Sequence, residues 1–528
     1  MEITKQNFSE QLDDITNNLK RSCFVGFDAE FTAILSGESF KHRLFDTNEE
    51  RYDKLKSKVS QMVMTQIGLT MFQYNRDIDM YTAVGYTFHL CPQVFGDIDQ
   101  SFMFQASTLR FLCRHNFDFN KFTYEGLPYL SKAEEDVIQQ HLNKNTLFQN
   151  LSRSLEMEEE KLLQSYCSEV SKWLSSSDEG TLYLDIKSPV LRYIAHHEIR
   201  MRFPGVLTTD SLGNSNKVLI YRDKYVEGAN NAPKAILEEN LKNNVLGFSQ
   251  IINLLASYKK PIIGHNIFLD TILLHNQFIG PLPNKYSTFK KNIHELFPNM
   301  YDTKYISHEM GRKLTFDEVW KSNALQDLYE FFSEGKCKKL QQGVNPIRLK
   351  TPFNVKQSYH EAGWDSYCSG YCFIRMGHWA ACEISGKYRP VGPKEKLAAM
   401  SPYCNRVNVI RGAVPYVNFV GEDPQSHRPS ILLIKALKDR AINVSQVASA
   451  LSSFGSIDIK PYGSRTALIA AGTHNTVDRI LKQYKNSGEY RISVYSAYRH
   501  SVARRVAMWS GALLTGSLVL YFFHKKMK

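Results

Sequence analysis

Phe24-Val25-Gly26-Phe27-Asp28-Ala29-Glu30-Phe31-Thr32 decides how the rest of the chain is read. It is a short apolar run carrying two carboxylates, Asp28 and Glu30. On a β-strand, residues i and i+2 share a face, so both acids point one way while Phe27, Ala29 and Phe31 point into a core. Adjacent acids on a buried strand repel each other, and burial adds to the cost unless a cation lies between them. A divalent metal, which prefers hard oxygen ligands, is the simplest such cation.

Upstream, residues 7–20 predict an amphipathic helix with Phe8, Leu12, Ile15 and Leu19 on one side. Downstream, residues 62–73 and 81–92 read as two further strands with a turn at Asn75-Arg76-Asp77, and helices follow at 106–116 and 131–142. Residues 145–230 differ in texture: a charged helical stretch (155–174), then Ser175-Ser176-Ser177, then a helical pattern over 191–200. This reads as an insertion, because the earlier pattern resumes only near 245. A helix is predicted over 245–257, a buried strand over 261–264, and then a helix capped by Asn266 with Asp270 in its first turns. Another helix is predicted over 364–380, preceded by Glu361-Ala362-Gly363, while 386–412, with Pro390 and Pro393, reads as a loop. The segments 430–436, 444–453, 456–460, 465–470, 475–485 and 490–496 alternate in the βαββαβ order of an RRM-type, ferredoxin-like unit. The aromatic RNP signature of that type is missing.

The 528 residues suffice for about three or four domains. A hydrophobic fraction of 43% supports a sizeable core and excludes a disordered chain. The net charge of +12 suits a polyanion or an anionic membrane surface, and equally an ordinary basic protein. Nine scattered cysteines, with only Cys368 and Cys372 close together, form neither a zinc set nor a disulfide framework, so a reducing compartment is expected. The opening Met-Glu-Ile-Thr-Lys-Gln is not a signal peptide. At the other end, residues 506–523 form an uncharged, mostly apolar run of 18 residues between Arg504-Arg505 and His524-Lys525-Lys526. As a helix it would measure roughly 27 Å, against a bilayer core of about 30 Å. Trp509 and Tyr521 lie near its ends, as interfacial aromatics do. A buried core helix is the other reading, but the flanking cations favour a tail anchor with the preceding chain in the cytosol. The short span suits a thin bilayer, so the mitochondrial outer membrane is expected, with the endoplasmic reticulum as the alternative.

Four acids stand at separated, structured positions: Asp28 and Glu30 on a strand, Asp270 and Asp365 near the starts of helices. His360 precedes Asp365 by five residues. Brought together, such carboxylates can hold two Mg²⁺ ions about 4 Å apart, clamping the attacking and leaving oxygens of a phosphodiester. A histidine beside them can take a proton from water near neutral pH. Taken singly, each has an ordinary reading: a solvated strand face, compensation of a helix dipole, a surface histidine. Their joint occurrence in this order favours a two-metal hydrolytic exonuclease.

These segments resemble the motifs of the DEDDh exonuclease family, and more narrowly the poly(A)-specific ribonuclease (PARN) family. Phe27-Asp28-Ala29-Glu30-Phe31, Gly264-His265-Asn266-Ile267-Phe268-Leu269-Asp270 and His360-Glu361-Ala362-Gly363-Trp364-Asp365 match its three motifs in turn. Asn116-Phe117-Asp118-Phe119-Asn120-Lys121, Gly126-Leu127-Pro128-Tyr129-Leu130, Phe297-Pro298 and Asp302-Thr303-Lys304 are similar as well, so the likeness covers roughly residues 1–400. It implies an α/β, RNase H-like DEDD exonuclease domain with a mixed sheet flanked by helices, in two parts, 1–145 and 241–400. Between them it implies an inserted Arg/His-motif nucleic-acid-binding domain (146–240). The RRM-like region (413–498) and the transmembrane tail anchor (506–523) follow. It implies Asp28, Glu30, Asp270 and Asp365 as ligands of two Mg²⁺ ions, replaceable by Mn²⁺, His360 as general base, and 3′-to-5′ activity on single-stranded RNA. Lys304 would contact a substrate phosphate, or is a surface lysine. Arg192 and His196, four apart on one helix face, resemble the Arg/His signature, or form an ordinary solvated face.

PARN-like proteins with a membrane anchor at the C-terminus form a sub-group that trims the 3′ ends of precursor piRNAs held by PIWI proteins. The resemblance therefore implies that activity, PIWI proteins and a Tudor-KH-type membrane scaffold as partners, and a homodimer. Two alternatives are a PARN-type deadenylase acting on mRNA tails and a non-catalytic RNA-binding scaffold on a membrane. The complete set of acids argues against the second.

Overall fold

The computed structural model of the protein describes residues 1–34, 43–176, 181–204, 206–210, 217–222, 232–314, 319–335, 342–350, 359–437, 441–496 and 517. Its main sheet has nine strands. Eight run across it in the order Glu2–Ile3, Met80–His89, Met64–Asn75, Phe24–Phe31, Ile262–Gly264, Met300–Asp302, Arg406–Asn408, Tyr416–Asn418, and Ile347–Leu349 pairs with Met80–His89. The sheet is mixed: Phe24–Phe31 is antiparallel to Met64–Asn75 and parallel to Ile262–Gly264. A strand so placed is covered on both faces, which is why Phe24, Val25, Phe27 and Ala29 are all buried. Asp28 stands opposite Gly68 and Glu30 opposite Gln66, and the ladder is bulged just beyond Glu30.

The helix Ala362–Ser385 lies directly on the Phe24–Phe31 and Met64–Asn75 strands. Only glycine permits this approach. A Cβ on Gly26 would stand 2.1 Å from the Ser366 carbonyl oxygen, and one on Gly68 1.8 Å from that of Ala362. The Thr70 and Ser366 hydroxyls share a hydrogen bond of 2.7 Å across the same contact. Phe24 stacks on Phe72 at 4.9 Å and meets Phe373 edge-on at 5.5 Å.

Residues 147–246 form the helices Leu147–Arg153, Met157–Ser176, Pro189–Arg202 and Ala232–Leu246 and an antiparallel sheet of Thr181–Asp185, Lys217–Arg222 and Val206–Asp210, in that order. Their core, with Val170, Leu191, Ile194, Ile199 and Ile220, continues into Phe95, Leu130 and Ile138 of the preceding chain.

Residues 423–496 belong to a second compact unit. The strands Ile457–Gly463, Thr466–Ala471, Leu432–Ala436 and Tyr490–Val494 pair antiparallel in that order, with helices Val444–Leu451 and His474–Gln483, as a βαββαβ chain must arrange them. A segment near residue 44 joins this unit, which the sequence did not announce. The Leu44 N–H donates to Asp458 at 2.5 Å, and Arg51 donates to the Ile410 carbonyl at 2.6 Å.

The loop expected over 386–412 contains the helix Pro393–Met400. Proline at the first helical position has its φ preset and lacks only an N–H that would be unpaired there, so Pro393 starts a helix. Apart from residue 517, the run 506–523 lies outside the described residues, and among the described residues no helix is long and apolar enough to cross a membrane.

Candidate active site

Three structural elements carry the four acids. The Phe24–Phe31 strand presents Asp28, half-buried, and Glu30, buried, on one face. The helix Phe268–Leu274 presents Asp270 in its first turn. Its cap is not Asn266, as expected, because Asn266 takes a left-handed backbone (φ +63) ahead of the helix. The Asn266 and Ile267 N–H groups instead donate to Asp302, at 2.9 and 3.1 Å. The same buried carboxylate accepts the N–H groups of Lys304, Tyr305 and Asn408 at 3.0, 3.4 and 2.9 Å. Asp302 thus fixes the chain leading to Asp270 against the next strand.

The helix Ala362–Ser385 presents Asp365 in its first turn and is capped by Glu361, which accepts the N–H groups of Gly363 and Trp364 at 3.3 and 2.9 Å. Thr87 donates its hydroxyl to Glu361 at 2.6 Å, and Gln66 accepts the Ala362 N–H at 3.0 Å. Both ties run to the sheet, so helix start and strand acids form one body. His360 has a left-handed backbone (φ +69), and its N–H donates to Asp365 Oδ2 at 3.0 Å.

These elements bring the predicted acids within electrostatic reach. Burial, then Asp365, Asp270 and Glu30, push the Asp28 carboxyl well above the usual carboxylate range. Burial, then Asp365 and Asp270, do the same to Glu30. Asp270 and Asp365 are each pushed up to about 7, chiefly by burial. One ligand atom each from Glu30, His360 and Asp365 lie within 4.8 Å of one another. Asp365 Oδ1 is buried and has no hydrogen-bond partner among the described residues. Mutually repelling carboxylates, an imidazole and an orphaned carboxylate oxygen fit a divalent cation. Burial lowers the proton affinity of His360, with a smaller contribution from His115. A neutral imidazole can accept a proton.

Lys304 starts the helix Thr303–Gly311 half-buried, with its ammonium pKa lowered by burial. It adjoins His265, whose pKa burial and Lys304 push down to about 3. Arg192 and His196 do not share a solvent face as expected. His196 is buried against the three-stranded sheet, with Nδ1 2.7 Å from the Thr208 hydroxyl, and Arg192 Nε donates to the Ile186 carbonyl at 3.2 Å. The sheet that covers this helix face was not read from the sequence. Gln66, Phe111 and His115 were missed as well. No local pattern marks them, because their partners are hundreds of residues away.

Residues 3–373 match the description "CAF1 family ribonuclease". The chain is 64% identical over 528 residues to the "Pre-piRNA 3′-exonuclease trimmer" of Bombyx mori, covering 100% of this chain and 99% of that protein. It is 29% identical to "Poly(A)-specific ribonuclease PNLDC1" of Mus musculus, over 95% of each. It is 26% identical to "Poly(A)-specific ribonuclease PARN" of Homo sapiens, over 94% of this chain and 80% of that protein. With this likeness and an acid cluster on a mixed sheet, the chain belongs to the CAF1 family of ribonucleases.

Proposed function

We propose that the protein is a 3′-to-5′ exoribonuclease that trims the 3′ ends of PIWI-bound precursor piRNAs. The observation that carries this reading is the convergence of Asp28, Glu30, Asp270 and Asp365 with His360. The full-length similarity to a protein named for pre-piRNA trimming supports the choice of substrate. Asp28, Glu30, Asp270 and Asp365 would hold two Mg²⁺ ions, or Mn²⁺ in their place. When bound, these supply a water of lowered pKa and stabilise charge on the leaving oxygen. His360 accepts the proton of the attacking water, and the tie from its N–H to Asp365 keeps base and carboxylate in register. Lys304 is assigned a substrate phosphate.

The test is RNA labelled at its 5′ end, incubated with Mg²⁺ and the protein lacking residues 504–528. A ladder shortening from the 3′ end is expected, and its loss in Asp28→Asn. Shortening that survives this change removes Asp28 from the mechanism. A second reading, poly(A) deadenylation, follows from the relatives named poly(A)-specific ribonucleases. Equal rates on adenosine and mixed-sequence 3′ ends decide for trimming, whereas strict adenosine preference decides for deadenylation. The run 506–523 is proposed as a tail anchor in the mitochondrial outer membrane, where a Tudor-KH-type scaffold would deliver PIWI-bound RNA. A homodimer is proposed alongside it.

A further inference from the structure

His360 reaches the acids from a left-handed backbone position, and the residue as a whole is exposed, so something must fix the direction of its ring. Two rings from a distant helix do so. The His115 ring lies 4.2 Å from that of His360, inclined at 62°, and Phe111 meets the same imidazole at 4.8 Å and 75°. Phe111 and His115 touch each other at 4.6 Å, closing a triangle of rings. Edge-to-face contacts of this kind have a preferred geometry, so they orient as well as bury.

The support behind the triangle is firm. Phe111 lies in the helix Ala106–Arg114 and His115 is its C-terminal cap. Asn116 follows with a left-handed backbone (φ +58), the Phe117 N–H donates to the Leu112 carbonyl at 3.0 Å and the Asn116 N–H to that of Cys113 at 3.3 Å. This is a Schellman closure, which fixes the last turn. The start of the helix is tied to the acid-bearing strand: the Gln105 N–H donates to the Thr32 carbonyl at 3.0 Å, and the Ile34 N–H to the Thr108 hydroxyl at 3.2 Å. Thr32 is two residues beyond Glu30, so the acids and the rings that flank His360 ride on one body.

We propose that His115, backed by Phe111, is a positioning residue that holds the His360 imidazole over the carboxylate cluster. The proposal rests on the exonuclease reading. It adds a ring outside the three acid-bearing motifs. His115 acts through His360 and needs no contact with RNA, so its loss affects turnover rather than binding.

The test compares His115→Ala, His115→Phe and Phe111→Leu in the full-length protein. Steady-state kinetics on 5′-labelled RNA are paired with NMR of histidine-labelled, metal-free protein, in which His360→Gln identifies the His360 ring signal. His115→Ala should lower kcat roughly tenfold, as a displaced catalytic group does, with KM within about twofold. His115→Phe should restore kcat to within about threefold, because a ring of similar shape returns. In the metal-free protein the His360 ring signal should shift in His115→Ala and in Phe111→Leu. Wild-type kcat in His115→Ala overturns the proposal. So does a raised KM at unchanged kcat, which would make His115 an RNA contact. A phenylalanine variant no better than alanine, or an unmoved His360 signal, also overturns it. If His115→Ala fails to fold, Phe111→Leu, which leaves the Schellman turn intact, carries the same kinetic and NMR test. Should wild-type protein cleave no RNA, the exonuclease reading fails while the NMR shift still decides whether the rings orient His360.

Discussion

Asp365 divides its two oxygens between two tasks. Oδ2 accepts the His360 N–H, and Oδ1 is buried without a hydrogen-bond partner among the described residues. Beside it, Asp28 and Glu30 are held at close quarters against their mutual repulsion. Sites built this way favour function over stability, and removing one charge exposes the trade. Asp28→Asn should lower exonuclease turnover by at least about 10²-fold, since metal-assisted charge stabilisation is worth several kcal/mol and each 1.4 is about tenfold. In EDTA the same variant should melt about 2–4 °C above wild type, because a repulsive charge is gone; scanning calorimetry checks this. The pH dependence follows in sign. The Asp270 and Asp365 carboxyls rise from 3.8 to about 7 on folding, so between these values the folded state holds more protons than the unfolded one. Stability of the metal-free protein therefore falls as pH rises through that window, and is fully present only below it. Melting temperatures of metal-free wild type and Asp365→Asn between pH 4 and 8 should show a shallower fall in the variant.

At the scale of elements, the site depends on how closely the helix Ala362–Ser385 approaches the sheet. Gly68→Ala would drive a methyl group into the Ala362 carbonyl, at the very start of the helix that carries Asp365. It should cost about 1–3 kcal/mol in urea unfolding, as overpacking does. Exonuclease turnover should fall at least tenfold or so, because Asp365 moves with its helix. Gly488→Ala, where an added Cβ has nothing within 4 Å, is the control and should change stability by less than about 1 kcal/mol. What could be read from the sequence divides along the same line. Asp28, Glu30, Asp270, Asp365 and His360 were legible because each sits in a locally patterned strand or helix start. Asp302 shows only as part of a motif, since its five backbone bonds reach Asn266, Ile267, Lys304, Tyr305 and Asn408. Gln66 and His115 leave no local trace, because what they hold is nearly three hundred residues away in one case and about 245 in the other. The helix Pro393–Met400 runs against the loop expected over 386–412, because proline, a breaker inside a helix, is well suited to its first position.

For the whole molecule, the run 506–523 and the nuclease body should be separable in their tasks. Deleting residues 504–528 should leave turnover on free RNA within about twofold while abolishing co-flotation with outer-membrane vesicles, since an apolar span is what commits a chain to a bilayer. Flotation that survives the deletion would assign membrane attachment to another part of the chain.

The sheet at the centre has a consequence in time as well as space. Phe24–Phe31 is an early strand, but its parallel neighbour Ile262–Gly264 and the helix bearing Asp365 come only after residues 146–240 have been made. Long-range parallel pairing is slow to form, and chains grow from the N-terminus at about 5–20 residues per second. A ribosome-bound chain therefore holds Asp28 and Glu30 for tens of seconds before Asp270 and Asp365 exist to join them. Until then the nascent chain has only half of its acid cluster.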